Sequence, residues 1–245
     1  MRILIVGYGE IGKAVHKHFS RFNDMQWQDV NAGTATHGRY DILHTCIPYS
    51  EDFVKTMQGY IDQYKPIFTI SHSTTPIGTH RLINRPVIHA PVRGRHKNLA
   101  KALGEYQMYV SEDYIQAGLY YLMDCEVPIV VCQKHETTEA AKLLELMQYG
   151  VNIEFARYAK TVCDTFDLDY DEVVKDYGIS HNVTIAKIDG RNLTKPILEP
   201  PKGKIGGHCV IPGMEILERQ IPSELNQAVL RVNKDMESMQ RLHIS

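Results

Sequence analysis

Residues 1–19 read MRILIVGYGEIGKAVHKHF, a short apolar run followed by glycines and then by an amphipathic segment. A short apolar run bounded by glycine is typical of a buried strand, and apolar residues at helical spacing after the glycines predict a helix. The opening therefore predicts a strand, a tight turn and a helix. This stretch decides the fold class, because a strand that enters a helix through a glycine turn is the first part of a β-α-β crossover.

Further apolar runs follow the opening, and several are separated by helix-like segments such as SEDFVKTMQGYIDQY at 50–64. They are WQDV (27–30), DILHTCI (41–47), PIFTIS (66–71), RPVIHA (85–90), YQMYV (106–110) and VPIVVC (127–132). Strands that alternate with helices form a largely parallel sheet covered on both faces. The sequence therefore predicts an α/β, Rossmann-like doubly wound parallel sheet.

The pattern changes after Cys132, where helical spacing replaces the short apolar runs. Helices are expected at 136–166, 169–178 and 221–242, and a proline- and glycine-rich loop is expected at 196–213. We predict two domains, a sheet domain at 1–134 and a helical domain at 135–245.

Composition limits the class of protein and its partners. The 245 residues are 43% hydrophobic and 23% charged, which suits a soluble chain with one sizeable core or two modest ones. A formal net charge of −2 gives no general reason to expect a nucleic acid or an anionic membrane as a partner. The five cysteines are an odd number without paired spacing, and we find neither a signal peptide nor an apolar run of spanning length. A reducing, cytoplasmic location is the expectation.

Gly7, Gly9 and Gly12 form the pattern G-x-G-x-x-G directly after the first predicted strand. In dinucleotide-binding proteins the first glycine permits the turn, the second lets the backbone approach a pyrophosphate, and the third brings helix and strand together. Asp29 follows about 20 residues later, where a carboxylate binds ribose hydroxyls and repels a 2′-phosphate, so NAD is favoured over NADP. The alternative is a glycine turn without a ligand. The expected cofactor contacts are Gly7, Tyr8, Gly9, Glu10, Ile11, Gly12, Asp29, Pro48 and Ser73.

The segment SHSTTPIGT (71–79) follows another predicted strand and is rich in hydroxyl groups. Ligands of open α/β sheets bind at the carboxyl ends of the strands. Ser73, Thr74 and Thr75 are therefore candidates to face the nicotinamide end of a dinucleotide. Simple helix capping by serine or threonine is the alternative.

The segment HAPVRGRHKN (89–98) is strongly basic. Arg93 and Arg95 are candidates for clamping a phosphate or carboxylate through bidentate contacts, supported by the neighbouring His96 and Lys97. A solvated basic loop is the alternative. The clamp predicts an acidic or phosphorylated substrate.

The segment GKIGGHCVIPG (203–213) places Cys209 behind two glycines and His208. A cysteine there is a candidate nucleophile, a candidate metal ligand, or a compact residue in a tight loop. The histidines show no zinc-finger spacing and no H-E-x-x-H motif, so no metal site is predicted. The nucleophile and packing interpretations both stay open.

Four segments occur in the same order as in the nucleotide-sugar dehydrogenases, the family of UDP-glucose and UDP-N-acetylmannosamine dehydrogenases. GYGEIG (7–12) resembles their cofactor loop, and SHSTTPIGT (71–79) resembles their S-T-V-P-x-G-T segment. LELMQYGVN (144–152) resembles the A-E-L-I-K-Y-x-x-N start of their long central helix, and GKIGGHCVIP (203–212) their cysteine-bearing G-x-G-G-H-C-I-P loop. The likeness runs over nearly the whole chain.

The resemblance implies a mechanism. In that family the cysteine thiolate attacks an enzyme-bound aldehyde, a second hydride passes to NAD, and water cleaves the thioester. By position, Cys209 would be the nucleophile, Asn152 a donor to the developing oxyanion, and Thr74 a contact to the catalytic water. The family dimerises through its central helix, so the resemblance also implies a homodimer built on residues 139–167.

Several family residues are replaced in this sequence. Gln148 stands where the family has a lysine, and it supplies a hydrogen-bond donor without a positive charge. The family's glutamate falls on Val92, and its aspartate falls near Pro212 and Gly213. The family also continues into a C-terminal domain that binds the substrate's nucleotide, and this sequence is expected to lack that half-site.

Two functions follow from these patterns. The first is an NAD-dependent oxidoreductase that acts on a small or anionic substrate, including a sugar derivative. The expected substrate contacts are Arg93, Arg95 and His208, and the expected catalytic residues are Cys209, Asn152, Thr74 and Gln148. The alternative is a non-catalytic NAD-binding sensor or partner subunit derived from that family.

Overall fold

The computed structural model describes residues 1–94, 96–111, 116–188 and 193–242. It divides into two compact units, Met1–Leu143 and Leu144–Ser245. Within the described residues, the strands are β1 (Ile3–Val6), β2 (Met25–Gln28), β3 (Ile42–Thr45), β4 (Phe68–Ser71), β5 (Val87–His89), β6 (Met108–Ser111) and β7 (Ile129–Cys132). The helices are α1 (Glu10–Phe19), α2 (Phe53–Tyr64), α3 (Leu99–Glu105), α4 (Gln116–Asp124), α5 (His135–Thr165), α6 (Tyr177–Ile188), α7 (Val210–Gln220) and α8 (Glu224–Leu242). Each predicted apolar run contains or overlaps a strand, which confirms the α/β class.

Five parallel strands form the main sheet in the order β2-β1-β3-β4-β5, and β6 and β7 form a second parallel ladder. Ile3 of β1 is in register with Met25 of β2 on one side and with Ile42 of β3 on the other. The His89 amide at the end of β5 donates to Ser111 Oγ at the end of β6 (2.9 Å), so these strand ends lie side by side. The chain leaves β1 for one side and returns to β3 on the other. The carboxyl edge between β1 and β3 is therefore the switch point at which such sheets bind ligands.

Apolar residues are buried on both faces of the main sheet, as the parallel order requires. Successive side chains of a strand point to opposite faces. Ile3 and Ile5 belong to the core cluster that contains Phe19 of α1. Leu4 and Val6 belong to the cluster on the other face, which includes residues of α2. The sheet is thus covered by helices on both sides.

The long helix predicted after the sheet is present as α5, a helix of 31 residues. It begins at the predicted domain boundary of 134/135, whereas the two compact units divide between Leu143 and Leu144, inside the helix. The first turns of α5, up to Leu143, therefore belong to the same compact unit as the sheet. Among the helices that the structure describes, none combines the length and the apolar character needed to cross a membrane.

In the second unit, an apolar cluster joins α5, α7 and α8. The predicted loop at 196–213 extends too far, because its last four residues form the start of α7, which begins at Val210. Pro212 lies in the first turn of α7, where its missing amide hydrogen costs the helix no bond. A β-carbon on Gly213 would lie 2.5 Å from Leu146 Cδ1, so the glycine lets α5 and α7 approach closely. Here glycine serves helix packing and does not break the helix.

Candidate functional site

The turn between β1 and α1 is shaped by two glycines that larger residues cannot replace. Gly7 has φ +87°, a left-handed conformation that favours glycine, and a β-carbon there would lie 2.6 Å from the Cys46 carbonyl oxygen. A β-carbon on Gly12 would overlap the Gly7 carbonyl oxygen. The Gly7 amide donates to the Gln28 carbonyl oxygen (2.9 Å). The turn is therefore fixed against the strands on both sides of β1.

Gly9 is different, because the fold itself does not require a glycine there. It is the N-cap residue of α1 with φ −72°, which any residue adopts. A β-carbon on Gly9 would meet no atom of the described residues within 4 Å. The first turn of a helix attracts anions through its N–H groups and its dipole. This geometry leaves room for a phosphate against the backbone at Gly9.

Asp29 lies beside the glycine turn, directly after β2. Its Oδ2 accepts a hydrogen bond from the Tyr8 amide (2.7 Å), and its Oδ1 accepts one from the Val30 amide (2.7 Å). An ionised carboxylate offers about four acceptor positions, and these two bonds occupy two of them, so the Asp29 carboxylate keeps capacity for a ribose hydroxyl. The structure thus brings two predicted cofactor contacts, the turn and Asp29, into direct contact.

The Tyr8 side chain is held by aromatic neighbours that sequence patterns did not reveal. Its ring stacks on Trp27 of β2, with ring centroids 4.1 Å apart and planes inclined by 13°. Its hydroxyl lies 2.8 Å from His16 Nδ1, two turns along α1. These contacts fix the side chain of Tyr8 while its amide binds Asp29.

The segment after β4 carries the other predicted contacts on this edge. Ser73 is buried, and its Oγ donates to the Ile47 carbonyl oxygen (2.6 Å), while its own carbonyl oxygen accepts from His89 Nε2 (2.9 Å). The Ser73 hydroxyl therefore uses its single proton within the protein. Thr74 is half-buried, and Pro48 is exposed after β3. The cofactor contacts of these residues stay predictions.

Buried histidines cluster at the ends of β3, β4 and β5, and the sequence alone did not indicate them. His44 Nδ1 is 3.0 Å from His72 Nε2, and His44 Nε2 is 3.0 Å from the Tyr121 hydroxyl. His72 Nδ1 is 2.8 Å from the Ala90 carbonyl oxygen. Burial, together with the neighbouring His72, lowers the pKa of His44 well below its usual value, and burial lowers the pKa of His72 to about 4. Both imidazoles are therefore neutral near neutral pH.

A second buried chain joins β4 to the start of α5. His80 Nε2 is 2.8 Å from Ser71 Oγ, His80 Nδ1 is 2.7 Å from Glu139 Oε1, and both side chains of the pair are fully buried. Burial lowers the pKa of His80, although the hydrogen bond to Glu139 opposes this effect. Burial alone would raise the pKa of Glu139, but hydrogen bonds from His80 and the Gly78 amide hold that pKa below its usual value. The pair is therefore a neutral imidazole that donates to a carboxylate.

The predicted anion clamp falls only in part on the described residues. The Arg93 guanidinium lies 5.6 Å from the ring centroid of Tyr106 and 6.0 Å from that of Tyr109, in cation–π contact. Its companion, Arg95, lies outside the described residues. Arg93 thus has aromatic partners, and the binding of an anion by Arg93 and Arg95 stays a prediction.

The other predicted residues lie in the second unit. Cys209 is the N-cap residue of α7, and like Val151 of α5 it packs against the apolar cluster that contains Leu146 and Met214. On α5, Gln148 is exposed and Asn152 is half-buried one turn later, and His208 is exposed. Their roles in catalysis or substrate binding stay predictions. Within the described part of the chain, no group of three or more histidine, cysteine, aspartate or glutamate side chains is arranged to hold a metal.

No family model and no curated protein sequence matches this chain. Solved structures do match. The UDP-D-ManNAc dehydrogenase of Pyrococcus horikoshii superposes with a TM-score of 0.77 at 17% identity, over 98% of this chain and 69% of that one. The UDP-N-acetyl-mannosamine dehydrogenase of Staphylococcus aureus gives 0.73 at 16% identity, over 98% and 69% of the two chains.

A shorter protein matches over almost its full length. The 3-hydroxyisobutyrate dehydrogenase of Mycobacterium tuberculosis gives a TM-score of 0.70 at 14% identity, over 97% of this chain and 94% of that one. At these identities the likeness concerns the fold. The resemblance found in the sequence is thus confirmed at that level: this chain has the Rossmann-like fold of nucleotide-sugar and 3-hydroxyacid dehydrogenases.

Proposed function

We propose that this protein is a nicotinamide-dinucleotide-dependent oxidoreductase whose cofactor binds at the turn between β1 and α1. Gly9 is the single observation that carries the proposal. The space above it is open in the described structure, and it coincides with a helix N-terminus at the switch point of a parallel sheet. The dehydrogenase-like fold supports the same conclusion.

The proposed cofactor is NAD rather than NADP. Asp29 supports this choice, because its carboxylate is held beside the turn by the Tyr8 amide at 2.7 Å. A carboxylate at that position accepts hydrogen bonds from the adenosine ribose and repels the 2′-phosphate of NADP. With the adenosine half beside β2, the nicotinamide half would extend toward β3 and β4, where Pro48 and Thr74 follow the strands.

The proposed substrate is small or anionic. A sugar derivative and a small hydroxy acid both belong to this class, and the hydroxy acid is suggested by the 3-hydroxyisobutyrate dehydrogenase, which matches over 94% of its length. Arg93, with Arg95 and His208, is proposed to bind it. Cys209 and Asn152 are proposed as nucleophile and oxyanion donor on the strength of the resemblance.

A second candidate is a non-catalytic NAD-binding sensor or partner subunit. Gln148 favours it, because a neutral amide cannot supply the positive charge that the lysine of the resembling family provides. Loss of such a group typically costs about 100-fold or more in rate. Substrate-dependent reduction of bound NAD distinguishes the oxidoreductase from the sensor, which binds NAD without turnover.

Calorimetric titration of the purified protein with NAD and NADP tests the cofactor assignment. We expect NAD to bind at least about tenfold more tightly, a difference of about 1.4 kcal/mol. Replacing Asp29 by asparagine removes the charge that repels the 2′-phosphate, so Asp29→Asn is expected to narrow this preference. Tighter binding of NADP by the unchanged protein would contradict the assignment, and binding of neither would contradict the proposed function.

A homodimer built on α5 is part of the proposal. Phe155 and Tyr158 are 63% and 67% exposed, and with Val162 they fall at the i, i+3, i+7 spacing of one helix face. Large apolar side chains exposed along one stripe are typical of an interface. Phe155→Glu is therefore expected to convert a dimer into a monomer in light scattering. Leu225→Glu, at an exposed leucine on α8, is the matched control and should remain dimeric; a wild-type monomer at micromolar concentration would contradict the proposal.

A further inference from the structure

The Glu139 carboxylate at the start of α5 is fully buried and holds the turn that follows β4. Its Oε2 accepts a hydrogen bond from the Gly78 amide (2.5 Å). Its Oε1 accepts hydrogen bonds from the His80 amide (2.9 Å), His80 Nδ1 (2.7 Å) and Thr75 Oγ1 (3.3 Å). Four donors from residues 75–80 therefore converge on one side chain of α5.

These contacts show how the fold tolerates the buried charge. Neutral His80 brings no cation, so the carboxylate is stabilised by oriented N–H and O–H groups, as an anion is stabilised in a backbone nest. Gly78 has φ +92°, the conformation that turns its amide toward Glu139 at low cost. The turn is thus built to surround an anion, and the anion belongs to the protein itself.

The order Ser71, His80, Glu139 resembles that of a hydrolytic triad, since the imidazole lies between a hydroxyl at 2.8 Å and a carboxylate at 2.7 Å. Ser71, however, is fully buried at the end of β4, and so are His80 and Glu139. A substrate carbonyl cannot reach the serine oxygen. The three residues therefore hold the turn in place, and they do not cleave a bond of a substrate.

The held turn is continuous with the segment proposed to meet the nicotinamide half. Ser73 is fixed from the other side by Ile47 and His89. Half-buried Thr74 lies between that fixed point and the first Glu139 contact at Thr75. Movement of the carboxylate would therefore shift the chain that directly follows Thr74, while Ser73 on the other side stays fixed.

We infer that Glu139 is a positioning residue that fixes the turn after β4 for the nicotinamide half of the cofactor. The inference rests on the proposed function, because it assigns a role within the same dinucleotide site. Glu139 touches no cofactor atom itself; it acts through Thr75, Gly78 and His80. Its role concerns only the nicotinamide half of the cofactor, so a ligand that lacks the nicotinamide provides a test.

The test compares Glu139→Gln with Glu136→Gln by calorimetric titration with NAD and with ADP-ribose, which lacks the nicotinamide. Glutamine at 139 turns an NH₂ group toward donors, so at least one buried N–H loses its acceptor. We expect E139Q to weaken NAD binding at least about tenfold and to leave ADP-ribose binding unchanged. Glu136 lies one turn earlier on α5 and bonds Arg81 at the surface (2.8 Å), so E136Q should change neither affinity.

Two other results for a folded E139Q protein overturn the inference. Equal weakening of NAD and ADP-ribose by E139Q would mean that Glu139 supports the whole fold, and an unchanged NAD affinity would mean that the turn does not position the cofactor. If E139Q fails to fold, Glu139→Asp decides, because it keeps the charge and should weaken NAD selectively and less. Failure of the unchanged protein to bind either ligand would overturn the proposed function as well.

Discussion

Replacing Gly9 by valine is expected to weaken dinucleotide binding strongly while lowering the melting temperature only slightly, by the amount that a poorer N-cap of α1 costs. The backbone at Gly9, with φ −72°, accepts a β-branched residue, and a β-carbon there meets no atom of the described residues within 4 Å. The added methyl groups would instead fill the space in which we propose the pyrophosphate approaches the backbone. We expect affinity for NAD to fall at least about 100-fold, or about 2.7 kcal/mol, in a calorimetric titration.

The same substitution at Gly59 is the matched control. Gly59 lies in α2, is exposed, and likewise has no described atom within 4 Å of an added β-carbon. Gly59→Val should leave NAD affinity unchanged, because Gly59 lies outside the glycine turn. Unchanged NAD affinity in Gly9→Val would contradict the assigned binding site, and a large drop in its melting temperature would contradict the claim that only a ligand requires Gly9.

Acidification is expected to lower the free energy of unfolding by several kcal/mol between pH 6.5 and about pH 4. Burial lowers the pKa of His72 from 6.5 to about 4, so the unfolded chain binds a proton in this range that the folded protein does not accept. The contribution of neutral His72 to the free energy of unfolding is therefore fully present above pH 6.5 and is lost as the pH falls toward 4. The shift makes His72 alone responsible for about 3 kcal/mol. His44, His80 and His89, whose pKa values burial also lowers, act with the same sign.

Urea unfolding at a series of pH values measures this loss. In His72→Asn the amide can still donate to the Ala90 carbonyl oxygen but does not titrate, so the unfolding free energy should depend less on pH than in the unchanged protein. His37 is exposed, and His37→Asn should retain the full dependence. An unfolding free energy that stays constant from pH 6.5 to pH 4 would contradict the presence of neutral, buried histidines.

The sheet and the glycine turn could be predicted because their signals are local. Ile3 to Val6 form an apolar run directly before the glycines, and Gly7 and Gly12 are required by backbone geometry that only glycine meets. The start of α7 could not be predicted in the same way. Pro212 and Gly213 look like helix breakers, and only the approach of Leu146 from α5 shows that the glycine serves packing.

The buried polar network at the strand ends could not be predicted from the sequence, for a related reason. His44, His80 and His89 look like solvent-exposed residues or metal ligands until the fold supplies Tyr121, Glu139 and Thr138 as partners far along the chain. The same distance effect concerns Ser73. Its hydroxyl donates to the carbonyl oxygen of Ile47, a partner 26 residues away that the sequence did not indicate, and its contact with the cofactor stays a prediction. Side-chain roles that depend on long-range partners are therefore visible only in the structure.

Fluorescence of Trp27 tests the central claim most directly. It is the single tryptophan of the chain, it stacks on Tyr8 of the glycine turn, and it lies two residues before Asp29. NADH absorbs light where tryptophan emits, so NADH bound at this turn is expected to quench Trp27 saturably and to show sensitised emission of its own, and Gly9→Val should abolish both signals. A titration with NADH that leaves the Trp27 emission unchanged would contradict a dinucleotide site at the turn between β1 and α1.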